Sequence, residues 1–127
     1  MATAVTDPLS VLIVEDNVGA AAAFQAVFHV HGHDAAVAHD GSEALEIMRR
    51  NPPDVVLCNL GLPDMDGYRV VEALRSDPAI PYRPICALSA RTDEASRRQA
   101  AEAGFDGYIV KPPRFPELLD FLKRCRR

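Results

Sequence analysis

Cysteine is scarce and odd in number, three in 127 residues. The chain is 48% apolar, enough for one core without cross-links. The thiols therefore read as reduced, not as a disulfide framework. No apolar run approaches the ~20 residues of a membrane span. The N-terminus, MATAVTDP, lacks the basic-then-apolar order of a signal peptide. These absences point to the cytoplasm. Basic residues are not in excess: the formal net charge is −4, which argues against a nucleic-acid-binding face. A glycine-rich phosphate loop is missing as well. EDNVGAAA, after the first apolar run, has one glycine and two acids, which disfavours a flavin or nucleotide site. VLIVEDN also lacks the D-x-D spacing of a metal-dependent phosphatase.

What is present is an alternation of short apolar runs with helix-like stretches. Leu9 to Val14, Asp34 to Ala38, Asp54 to Cys58, Pro84 to Leu88 and Gly107 to Val110 read as strands. The intervening helices are predicted from Val18 to His29, Gly41 to Arg50, Gly67 to Ser76 and Thr92 or Asp93 to Ala103, with a last one from Phe115. Gly32 is a plausible terminator of the first, and Ser42 is expected to cap the second. Ala95, Ala100, Ala101 and Ala103 make the fourth apolar only through small residues, so loose packing is expected there. The last carries the stripe Phe115, Leu118, Leu119 and Leu122. Lys123, Arg124, Arg126 and Arg127 lie at the negative end of its dipole.

Strand–helix alternation implies a parallel sheet with helices on both faces and right-handed crossovers. The small-residue second strand suits an edge. The expectation is an α/β fold, a flavodoxin-like (βα)5 three-layer sandwich of strand order 2-1-3-4-5. Residues 1–8 read as a tail and 9–127 as one domain.

In such a sheet, chemistry collects at the carboxyl ends of the strands. Five polar residues fall there: Glu15, Asp16, Asn59, Ser89 and Lys111. Paired carboxylates suit Mg2+, which takes one or two of them and keeps several waters. Asp16 could equally cap the following helix, Ser89 could be a turn serine, and Lys111 could be a solvated lysine. Lys111-Pro112 is a candidate cis peptide. His29, His31 and His33 read as solvated helix-end histidines, because no Cys or acidic partner stands at a metal-ligand spacing. Cys58 and Cys86 read as small core residues.

Over nearly its whole length the chain resembles the receiver domains of two-component response regulators. The likeness rests on VLIVEDN, DVVLCNLGLPDMDG, ALSA and AGFDGYIVKP. It implies that Glu15 and Asp16 hold Mg2+ with help from Asn59 and the carbonyl of Gly61. Ser89 and Lys111 would contact the phosphoryl group, and Tyr108 would be the switch that follows Ser89 inward. It also implies a histidine kinase or histidine phosphotransfer protein as phosphodonor. A downstream protein would dock at the face formed by the fourth helix, fifth strand and last helix. No nucleic acid or membrane is expected as a partner.

One residue departs from that pattern. The phosphoacceptor aspartate, which attacks a phosphohistidine to form an aspartyl phosphate, corresponds to Asn59. An amide oxygen is a poor nucleophile and carries no charge. The expectation is a signalling domain, not a turnover enzyme, with phosphorylation blocked and Mg2+ binding weakened. Two origins fit: an isosteric Asp-to-Asn change in a normal receiver, or a natural pseudo-receiver acting as a phosphate-independent interaction module. The first is favoured because every other element of the pocket is retained.

Overall fold

The predicted alternation is realised over residues 8–125, which the computed structural model describes. The strands are β1 (Ser10–Val14), β2 (Asp34–Ala38), β3 (Val55–Asn59), β4 (Ile85–Ser89) and β5 (Gly107–Val110). The helices are α1 (Val18–Val30), α2 (Gly41–Arg50), α3 (Gly67–Ser76), α4 (Glu94–Ala103) and α5 (Phe115–Cys125). All strand pairs are parallel and the order is β2-β1-β3-β4-β5. The expected tail, 1–8, lies outside the described residues except for Pro8, as do Arg126 and Arg127.

Alternate residues of the central strands feed two cores, as the two-residue strand period requires. Leu12, Val14, Val56, Cys58, Ile85 and Ala87 pack with Ala44, Leu45, Met48, Val70, Val71, Leu74 and Ala100 of α2, α3 and α4. Val11, Ile13, Val55, Leu57, Cys86 and Leu88 pack on the opposite side with Phe28 of α1 and Leu118, Phe121 and Leu122 of α5. Every residue of β3 and β4 is buried, which explains their continuous apolar character. Burial pushes the thiols of Cys58 and Cys86 up to about 12, so both stay protonated at neutral pH.

Several local expectations need correction. Asp40, not Ser42, caps α2 and accepts the Glu43 N–H at 2.8 Å. Asn17 caps α1 through the Ala20 N–H at 2.9 Å, which leaves the Asp16 carboxylate uncommitted to the helix. The buried face of α4 is Ser96 and Ala100, while Ala95 and Ala101 are exposed. In α5, Phe121 is buried, whereas Phe115 and Leu119 are half-buried. His33 is not a solvated helix end. It lies beyond α1, buried, with Nδ1 accepting the Leu9 N–H at 3.1 Å. The cis peptide expected at Lys111-Pro112 is present.

Candidate functional site

The ends of β1, β3, β4 and β5 bring the five polar residues together. Glu15 follows β1 directly, and its N–H donates to Ala38 O at 2.9 Å, so the ladder holds its backbone in line. Asn59 is the last residue of β3 and Ser89 the last of β4. Lys111 follows β5, and its N–H donates to Ser89 O at 2.8 Å. Glu15 is 1% exposed, Ser89 7% and Asn59 8%.

Asn59 sits at the centre. Its Nδ2 donates toward Asp16 Oδ1 at 3.1 Å, Gly61 O at 3.2 Å and Glu15 Oε2 at 3.4 Å. Its Oδ1 accepts the Gly61 N–H at 3.3 Å. The surroundings dictate this orientation, because three acceptors face one end of the amide and a donor faces the other. Glu15 has further partners: Lys111 Nζ reaches its Oε1 at 3.1 Å, and the Asn17 N–H reaches its Oε2 at 3.1 Å.

Ser89 and Tyr108 belong to an adjoining group joined by one backbone residue. Ser89 Oγ accepts the Arg91 N–H at 3.1 Å, and the Tyr108 hydroxyl donates to Arg91 O at 2.9 Å. The Arg97 guanidinium lies 4.9 Å from the centroid of the Tyr108 ring. Tyr108 also borders a pocket of about 470 Å³ with Ile109 of β5 and Glu117, Asp120, Lys123 and Arg124 of α5.

Sequence reasoning missed two supports. Asp64, in the loop after β3, accepts the Gly41 N–H at 2.8 Å, the Ser42 N–H at 2.9 Å and the Ser42 hydroxyl at 2.8 Å. These bonds tie the loop carrying Gly61 to the N-terminus of α2 and hold the Asp64 carboxyl down at about 2. Arg91 is the other, since its role is carried by backbone atoms and no side-chain pattern marks it. Gly67 has a steric reason. A Cβ there would meet the Leu60 Cα at 2.9 Å and the Asn59 carbonyl oxygen at 3.0 Å.

The donor set fits a hard divalent cation: two carboxylate oxygens and a backbone carbonyl, from Asp16, Glu15 and Gly61, converge on one position. Among the described residues, no group of three or more His, Cys, Asp or Glu side chains is placed to hold a metal.

The profile of the response regulator receiver domain matches residues 11–123. The chain belongs to that family. Transcriptional regulatory protein PrrA of Mycobacterium tuberculosis is 38% identical over 128 residues, covering 100% of this chain and 53% of that protein. The chain thus spans about half the length of the curated relatives it matches. A putative response regulator from Chloroflexus aurantiacus is 32% identical, with a TM-score of 0.86 over 94% of this chain and 98% of that one. The receiver domain of a sensor histidine kinase from Pseudomonas aeruginosa is 29% identical, with a TM-score of 0.83 over 92% of this chain and 96% of that one. Its structure has a magnesium ion coordinated in the active-site cleft. Receiver domains are signalling domains that bind Mg2+ and interact with histidine kinases or phosphotransfer proteins.

Proposed function

We propose that residues 9–127 form a two-component receiver domain whose phosphorylation chemistry is switched off at one atom. The observation carrying this is Asn59, buried at the end of β3 and ringed by Asp16, Gly61 and Glu15, the last held by Lys111, as a phosphoacceptor would be. An aspartate there would present a nucleophilic oxygen to phosphorus. The amide presents a nitrogen whose lone pair is delocalised and a neutral oxygen already bonded to Gly61. Lys111 is a point charge suited to a phosphoryl oxygen. Ser89 is a hydroxyl that could exchange Arg91 for the same group, and Tyr108 would follow through its bond to Arg91.

Mg2+ would be held by Glu15, Asp16 and the Gly61 carbonyl, and Asn59 could add its Oδ1 only after the amide turns over. The bound ion would supply charge neutralisation for an incoming phosphoryl group. Its affinity is weakened, because two carboxylates stand where three are expected.

The partner in this account is a histidine kinase or histidine phosphotransfer protein. A downstream protein would dock on α4, β5 and α5, beside Tyr108, Arg97 and the adjoining pocket. Nucleic acid and membrane are not proposed as partners of this chain, whose formal net charge is −4. No helix among the described residues is long and apolar enough to cross a membrane, and a cytoplasmic location is proposed. The test is incubation of the native chain with a small acyl or amido phosphodonor and Mg2+. No mass gain of one phosphoryl group is expected, and a base-labile gain would overturn the proposal.

A second reading is favoured by one observation: the hydrogen-bond complement of Asn59 is well met within the pocket. That suits a natural module that signals by protein contact alone. Position 59 would then be a settled feature of the pocket and not a defect.

A further inference from the structure

We propose that the carboxamide nitrogen of Asn59 stands in for the divalent cation of this pocket, so that Mg2+ competes with it instead of using it as a ligand. The inference rests on the reading of the pocket as a receiver site.

Three oxygens that would ligate a cation, Asp16 Oδ1, Gly61 O and Glu15 Oε2, point at one atom, Asn59 Nδ2, at 3.1, 3.2 and 3.4 Å. They come from the end of β1 and from the loop after β3, the segments a bound ion would draw together. An –NH2 group carries its positive partial charge on two hydrogens, which suffices to hold acceptors but leaves one of the three sharing a proton. Glu15 has its remaining needs met by Lys111 Nζ and the Asn17 N–H. Two carboxylates and one ammonium leave one formal negative charge here, lower than an aspartate at position 59 would leave. The pocket is therefore assembled by its own side chains.

A cation entering this position must displace Nδ2. The amide can turn, but its oxygen would then leave the Gly61 N–H and its –NH2 would face that donor. Mg2+ ordinarily retains several waters, so a missing Asn59 oxygen is readily replaced by water, whereas a resident –NH2 has to be removed. Deleting the side chain beyond Cβ should then strengthen metal binding. If Asn59 were simply a neutral ligand, the same deletion would weaken it.

The test is a calorimetric Mg2+ titration of the native chain and Asn59→Ala. Removal of a competing hydrogen bond to a charged acceptor should tighten binding about tenfold in the variant. Equal or weaker binding in Asn59→Ala would overturn the inference. A measurement on the native chain stands even if that variant does not fold. The Asn59 side-chain amide protons should exchange with solvent more slowly than those of exposed Asn51, and should keep their shifts in millimolar Mg2+. Free exchange, or a shift saturating at micromolar Mg2+, would contradict the proposal. Neither readout involves phosphate, so failure here leaves the phosphorylation account untouched, and the phosphorylation of Asn59→Asp tests that account separately.

Discussion

Lys111 Nζ lies 3.1 Å from Glu15 Oε1, joining the residue after β5 to the residue after β1 across the two strands between them. The Glu15 side chain is 2% exposed and that of Lys111 29%. Lys111→Met should cost about 1–3 kcal/mol, below the range for a fully buried pair because Asn17 and Asn59 still bond the carboxylate. Urea unfolding at neutral pH measures it. Unchanged stability would mean the pair is not formed in solution.

Acid should loosen two helix starts. The Asp64 and Asp93 carboxyls fall from an ordinary 3.8 to about 2, Asp64 chiefly through the Gly41 N–H and Asp93 chiefly through the Ser96 hydroxyl. Depressed folded values mean that the unfolded chain takes up protons first. The contribution is whole above about pH 4 and is lost as pH falls toward 2. Native stability should therefore decline across that window, and the Asp64→Asn, Asp93→Asn double variant should decline less steeply. Parallel slopes in chemical unfolding at pH 4 and pH 3 would contradict this.

At the opposite end of the sheet, Asp106 gathers three donors: Arg75 Nη2 at 2.8 Å, the Ile85 N–H at 2.9 Å and the Tyr82 hydroxyl. Asp106→Ala strands the part-buried Ile85 N–H and removes the ion pair with Arg75, whose guanidinium keeps the Gly104 and Arg83 carbonyls, and about 1–3 kcal/mol should be lost. A thermal melt reads this, and an unmoved Tm would argue that water replaces the carboxylate.

Tyr108 and Ser89 are coupled through the backbone of Arg91. Tyr108→Phe removes the bond to Arg91 O and should shift the amide signals of Ser89 and Arg91 in a 15N-correlated spectrum. Signals that stay in place would mean the hydroxyl bond is not populated. Substitution of Arg97, Arg98 or Tyr108 should also weaken any partner that docks on this face.

The strand order and the helix positions were legible because both follow from local pattern: apolar runs of five or so residues, and 3.6-residue stripes such as Val70, Val71 and Leu74. The polar strand ends were legible for the same reason. What escaped is long-range. Asp64 serves Gly41 and Ser42, more than twenty residues earlier in the chain; the cap of α2 is a local exception, since Asp40 reaches Glu43 three residues on and takes the place expected for Ser42. His33 bonds Leu9, twenty-four residues earlier, and sits edge-on against Phe28, neither of which a helix-end histidine announces in sequence. Phe121 joins the core because β5 offers Gly107, where a Cβ would meet the ring at 2.7 Å. The direction of the Asn59 amide needs three oxygens from two segments, the end of β1 and the loop after β3, and residue identity alone cannot supply that.

Replacing Asn59 with aspartate reverses the sign of its contacts with Glu15 and Asp16. Like charges at ~4 Å repel by up to about 4 kcal/mol at an effective dielectric of 20, less where solvent reaches Asp16. Asn59→Asp should accordingly be less stable than the native chain without metal and regain stability with Mg2+. Paired melts with and without Mg2+ would show no difference if the pocket carries less charge than proposed.

The most direct measurement is intact mass of Asn59→Asp after incubation with a small phosphodonor and Mg2+. The account predicts gain of one base-labile phosphoryl group, abolished by chelation of the metal and absent from the native chain. A variant that folds and binds Mg2+ but takes up no phosphoryl group would contradict it.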